Sequence, residues 1–197
     1  MLDQDCLFDI DQLQRDEVAA TPWHGAPLTY TTDYYSVAEL EAAWDRYIAQ
    51  HGRFGCSPRS HMWHSWPFEG KNLTLPNGHA LVCLSADTRC TEDDHDHSRN
   101  PLPGKLMYQA ICEPCRWHYI GSESEVVLAW HDHAMPGWRD LPVVPVETKN
   151  IRAWAEANYP SQWQMHGAPI ITTRGEHANR AVPGGSPFGG YDIAEPR

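Results

Sequence analysis

Two cysteines separated by two residues, followed after an interval of fifteen by two histidines separated by one, constrain this chain more than any other feature. Cys112-Glu113-Pro114-Cys115 leaves a β-type run (Leu106, Met107, Tyr108, Ile111), and His131-Asp132-His133 comes next. A tight Cys-x-x-Cys turn aims two thiolates at one point. A returning segment must then bring two further donors to complete the tetrahedron that Zn2+ adopts in structural sites. The expected cofactor is therefore Zn2+, and the expected ligands are Cys112, Cys115, His131 and His133.

His-x-His departs from the usual ligand spacing of small zinc modules, and the local pattern explains why the last position stays open. Ser122-x-x-Glu125 is a capping box. After it, Val126, Val127, Trp130 and Ala134 fall on one helical face and Pro136 ends the helix. On a regular helix His131 and His133 point about 200° apart. Both bind one ion only if the last turn unwinds or the segment is extended, so His131 is preferred, His133 follows and His118 stands in reserve. Asp132 is expected to support a ligand by hydrogen bonding. Two rival readings compete. Cys-Glu-Pro-Cys has the form of a thioredoxin-type redox pair, but the run that follows, Arg116 to Gly121, reads as a strand rather than the required helix. Plain buried cysteines are the other.

The chain of 197 residues suits one domain with tails, and its expected class is α+β: a small antiparallel sheet with a zinc-binding Cys-x-x-Cys knuckle, packed by two to three helices. The expected organisation is an acidic N-terminal peptide at 1–20, a single zinc-stabilised domain at 21–178 and a Gly/Pro-rich tail at 179–197. Ser36-x-x-Glu39 opens the clearest helix, with Val37, Leu40, Trp44, Tyr47 and Ile48 as its apolar stripe and Gly52 at its end. Leu73 to Leu75 and Ala80 to Leu84, joined through Pro76-Asn77-Gly78-His79, form a hairpin. Residues 106–111 and 117–120 extend that sheet. A further helix spans about Glu147 to Asn158, and 169–173 is extended. The run from Val182 to Tyr191 reads as a surface tail, with Phe188 and Tyr191 as anchors.

Charge excludes some functions. With 15 basic and 26 acidic residues the formal charge is −11, which repels a phosphate backbone, so non-specific nucleic-acid binding is not expected. No run is long and apolar enough for a membrane span, and the first residues lack the charged and apolar regions of a signal peptide, so a cytoplasmic location is expected. A protein partner fits better. Gln4-x-x-Leu7-Phe8 matches the pentapeptide by which bacterial replication and repair proteins dock on the sliding clamp. A few buried anchors carry such binding. The competing reading packs Leu7, Ile10 and Leu13 on the protein's own core. From other classes come a metal-dependent hydrolase or nuclease using His61, His64, Asp93, His95 or His97, and an acidic mimic of nucleic acid that captures a basic host protein.

Leu7-Phe8-Asp9, HGRFG (51–55), Ser60-His61-Met62-Trp63, CEPCRWH (112–118), HDHAMPGWRDLPVVP (131–145) and SPFGGYD (186–192) resemble strings in an uncharacterised family from actinobacteria and their phages. The resemblance implies an origin and a compartment and says nothing of mechanism. The expected function is that of a non-enzymatic, zinc-stabilised adaptor or modulator acting by protein contact.

Overall fold

The computed structural model describes residues 6–52, 61–64, 72–89, 101–173 and 184–194, with residues 6–11 described in their backbone only. Gln4, Asp93, His95 and His97 lie outside these residues. The described elements are helices α1 (Cys6–Ala20), α2 (Val37–His51), α3 (Glu123–Ala134) and α4 (Ile151–Asn158), and strands β1 (Leu73–Thr74), β2 (Ala80–Asp87), β3 (Leu106–Cys112), β4 (Trp117–Gly121), β5 (Val143–Val144), β6 (Ile170–Thr172) and β7 (Asp192–Ala194). The class is mixed α+β, with four helices and the expected small antiparallel sheet, in the order β1-β2-β3-β4. A second sheet, β5-β6-β7, was not foreseen, and its strands are parallel.

The chain divides into two compact units, one of residues 1–65 and 85–107, the other of residues 66–84 and 108–197. In the first, α2 begins at a complete capping box: the Ser36 hydroxyl accepts from the Glu39 amide and the Glu39 carboxylate accepts from the Ser36 amide. It stops at Gly52, whose φ of 75° is one that residues with a Cβ rarely adopt. Leu40 and Ala43 are buried, whereas Trp44, Tyr47 and Ile48 are half-buried. Arg46 on α2 donates to the Val18 and Thr21 carbonyls at the end of α1, satisfying acceptors that a helix terminus leaves open. Leu13 on α1 is 62% exposed, so it is not spent on the protein's own core.

The second unit holds the larger apolar core, built from Leu73, Leu75, Leu81, Val126, Val127, Trp130, Trp138, Ile170, Ile171, Tyr191 and Ile193 among others. The described part of its glycine-rich C-terminal stretch, residues 184–194, is not the expected surface tail. Ser186, Phe188, Tyr191 and Ile193 are buried, and β7 pairs with β6. Composition misleads here because the glycines permit close approach rather than freedom. A Cβ on Gly190 would lie 2.2 Å from the Gly167 carbonyl oxygen and 2.4 Å from that of Ala168. Backbone bonds from Gly167 to Phe188 (2.8 Å) and from Ile170 to Tyr191 (2.9 Å) close the contact.

Candidate metal centre

Three local structures bring four donors to one place. The first is the β1–β2 turn. Pro76 presets the backbone for the second position of a turn in which the Gly78 amide donates to the Leu75 carbonyl (3.1 Å), and Gly78 supplies the positive φ of 88° that closes it. The Leu75 amide then donates to the His79 carbonyl (2.8 Å), which sets His79 at the mouth of β2. Asn77 fixes the turn against α3: its side-chain amide donates to the Ala134 carbonyl (3.0 Å), while its oxygen accepts from the His79 amide (3.3 Å). The Trp130 indole adds a second tie, donating to the Ala80 carbonyl at 3.3 Å.

The second is the knuckle between β3 and β4. Cys112 ends β3, Glu113–Cys115 forms one 3-10 turn, and Arg116 adopts a left-handed conformation (φ 51°) while its amide donates to the Glu113 carbonyl. β4 then returns with Trp117 opposite Cys112. The third is the end of α3, which stays helical to Ala134 behind its Ser122/Glu125 capping box.

Because α3 does not unwind, His131, Asp132 and His133 fan out by roughly 100° per residue and do three different jobs. His133 faces the cysteines. His131 does not, which corrects its placement as a ligand. It is fully buried, with rings of Trp130, Tyr191 and Trp138 at 5.0, 5.2 and 5.5 Å. Its Nδ1 donates to the Val127 carbonyl (2.7 Å), and burial pushes its pKa down to about 4, so the ring is neutral. Asp132 supports no ligand either. It accepts from the Trp138 indole (2.8 Å) and from the Arg139 guanidinium (2.8 Å), which holds its carboxyl below the usual range and folds the turn after α3 back on the helix.

His79 is the donor that spacing did not reveal. One donor atom each from His79, Cys112, Cys115 and His133 lies within 4.8 Å of the others, close enough to hold a metal ion. His79 Nδ1 is 3.4 Å from Cys115 Sγ and 3.7 Å from Cys112 Sγ. Zn–S bonds of about 2.3 Å and Zn–N bonds of about 2.0–2.1 Å give tetrahedral sulfur–nitrogen edges of about 3.5 Å, which these distances bracket. The Nε2 atoms of His133 and His131 are both buried without a hydrogen-bond partner, and it is proximity to the two cysteines that singles out His133. Trp117 stacks on the His133 ring at 4.5 Å and 2°, fixing its orientation, and His79 meets it edge-on at 4.9 Å. His118, opposite Ile111 on β4, is not in the group.

The electrostatics suit the same purpose. Desolvation and the adjacent Cys112 sulfur push the Cys115 thiol above its ordinary range. Burial, then the neighbouring His79, pulls the His133 imidazole down. Both shifts favour the uncharged forms of Cys115 and His133; a divalent cation would reverse that preference for the sulfur and requires a neutral imidazole.

The residues named for a hydrolytic site are used otherwise or lie beyond description. His61, with φ 48°, is buried and its Nδ1 meets the Asp87 carbonyl at 2.7 Å. His64 exchanges backbone hydrogen bonds with Ser85 (3.1 and 3.0 Å), and its ring lies 4.9 Å from Trp44. Of the partner peptide, Leu7 and Phe8 contribute backbone to α1.

Fold and site together define an α+β chain carrying a Cys2His2 group able to hold a metal. A family model matches residues 25–197, and the chain belongs to that family, described as a family of unknown function (DUF6349). No curated protein and no solved structure matches it. Among the described residues no helix is long and apolar enough to cross a membrane.

Proposed function

We propose that the protein is a zinc-stapled adaptor or modulator that works by protein contact and performs no catalysis at its metal centre. The observation that carries this reading is the convergence of four protein donors, His79, Cys112, Cys115 and His133, from a hairpin turn, a knuckle and a helix end. Catalytic zinc keeps a position for water or substrate, whereas four protein ligands close the tetrahedron and leave the ion a structural task. Two sulfurs and two imidazole nitrogens in that geometry favour Zn2+ over harder cations. The test is elemental analysis of the purified chain together with a melting curve. One equivalent of zinc and a chelator-sensitive Tm are expected. Absence of zinc, or a Tm indifferent to chelation, overturns the reading.

For the partner, we favour docking of Gln4, Leu7 and Phe8 on a bacterial sliding clamp, in keeping with the resemblance to actinobacterial and phage proteins and with a cytoplasmic location. The peptide precedes the family-matched residues 25–197, and the exposure of Leu13 leaves apolar surface on α1 for a partner. The wild-type chain is expected to co-migrate with a purified clamp, and Leu7→Ala with Phe8→Ala to abolish it. Failure of the wild type to co-migrate removes this partner and leaves the zinc centre untouched.

A further inference from the structure

We infer that the metal centre is an oxidation switch, in which hydrogen peroxide joins Cys112 and Cys115 in a disulfide and expels the ion. The inference rests on the zinc reading above. Its ground is an asymmetry between the two sulfur ligands. Cys115, at the end of the 3-10 turn, is exposed, whereas Cys112, at the end of β3, has no exposure at all. Solvent-borne oxidant therefore has access to one of these residues, with the sulfur of the shielded one within 4.8 Å of its own. An accessible thiolate next to a shielded resolving thiol is the arrangement that reversible redox sensors use.

The steps balance without any further reagent. Cys115 sulfur, held as a thiolate by the metal, attacks the peroxide O–O bond; an S–O bond forms, and the departing hydroxide is protonated to water. Cys112 thiolate then attacks the Cys115 sulfenic acid; the S–S bond forms, the S–O bond breaks, and the second hydroxide leaves as water. Two electrons pass from the sulfur pair to the peroxide, two protons are consumed, and Zn2+ leaves as a hydrated ion because His79 and His133 alone cannot retain it.

The local fold separates this chemistry from that of a thiol–disulfide exchange catalyst. Cys115 is followed by Arg116 and the strand β4, not by a helix whose N-terminus would stabilise its thiolate. Oxidation then removes the one link common to the β1–β2 turn, the knuckle and the α3 terminus, leaving the Asn77–Ala134 and Trp130–Ala80 hydrogen bonds to hold the turn to the helix.

The experiment uses the full zinc-loaded chain exposed to hydrogen peroxide. Zinc is followed with a chromogenic chelator, and disulfides are mapped by peptide mass spectrometry. One equivalent of zinc is expected to leave in step with a Cys112–Cys115 disulfide, and a thiol reductant with added Zn2+ is expected to restore both. Cys115→His, which keeps a nitrogen donor in place of the accessible sulfur, is expected to release zinc at least about tenfold more slowly, since a lone Cys112 cannot close the bridge. Zinc release with a disulfide elsewhere, or retention of zinc with both thiols still reduced, overturns the inference while leaving the metal centre standing. A chain that takes up no zinc at all overturns both. Should the variant fail to bind metal, the wild-type disulfide map alone decides.

Discussion

The two irregular parts of the second unit are fastened in opposite ways. Around His79, Cys112, Cys115 and His133, three backbone segments meet at four donor side chains able to hold a cation, with the Asn77–Ala134 hydrogen bond and the Trp117–His133 stack beside them. Around Gly167, Gly190 and Tyr191, chain meets chain directly, through backbone hydrogen bonds and a buried ring, and no added component is needed. If zinc fills the first, as proposed, that fastening is conditional on the surroundings, whereas the second is intrinsic to the chain. Irregular backbone would then be held either by chemistry imported from solution or by removing side chains where strands must touch.

The sharpest way to break that contrast is to remove the metal. Structural zinc supplies apparent binding energies of about 10–16 kcal/mol in small zinc modules, and that energy is folding energy. Chelation, or Cys112→Ser, is expected to lower Tm by more than about 20 °C in circular dichroism melts, given roughly 2–4 °C per kcal/mol for a chain this long. Next in size are lesions of the intrinsic fastening. Tyr191→Ala empties a buried site and is expected to cost about 3–5 kcal/mol, read by urea denaturation. Gly190→Val, whose side chain would collide with the Gly167 and Ala168 carbonyls, is expected to match or exceed that cost. Neither loss should be recovered by excess zinc.

A smaller effect distinguishes the two fastenings most directly. Asn77 touches no ion in this arrangement, yet it ties the His79 turn to the end of α3. Asn77→Ala is expected to cost about 1–2 kcal/mol and to weaken zinc binding about tenfold, as read by competition with a chromogenic chelator. Added zinc should recover most of the stability by mass action, in contrast to the Tyr191 and Gly190 variants. Least disturbing should be Tyr191→Phe. The hydroxyl is buried with no hydrogen-bond partner, so its removal is expected to change stability by no more than about 0.5 kcal/mol, or to raise it slightly. A loss as large as that of Tyr191→Ala would move the weight from the ring to the hydroxyl.

Periodicity and capping made much of the local structure readable in advance. Ser36 and Ser122 open their helices as capping boxes, Pro76-Asn77-Gly78 turns its hairpin, and Cys112 and Cys115 sit at the tip between two strands. α4 is shorter than its pattern suggested, because Asn150 caps it by accepting from the Ala153 amide. The ligand set was only half legible. His131 and His133 look like a chelating pair when the string is read in one dimension, but a helix that stays wound directs one into the core and the other out toward the cysteines. His79 was hidden because its relation to Cys112 is created by tertiary pairing across 33 positions, and no spacing rule spans such a distance. The parallel sheet was missed for a related reason: β5, β6 and β7 have two or three residues each, too few for any alternation to register.

The indole of Trp117 lying flat on the His133 imidazole turns the centre into its own optical gauge. Exchange of a diamagnetic ion for Co2+ or Cu2+ would place unpaired electrons one ring away from one of the chain's nine tryptophans, and part of the total emission would dim as the site fills. Occupancy could then be followed in dilute solution, in real time, without labelling the chain.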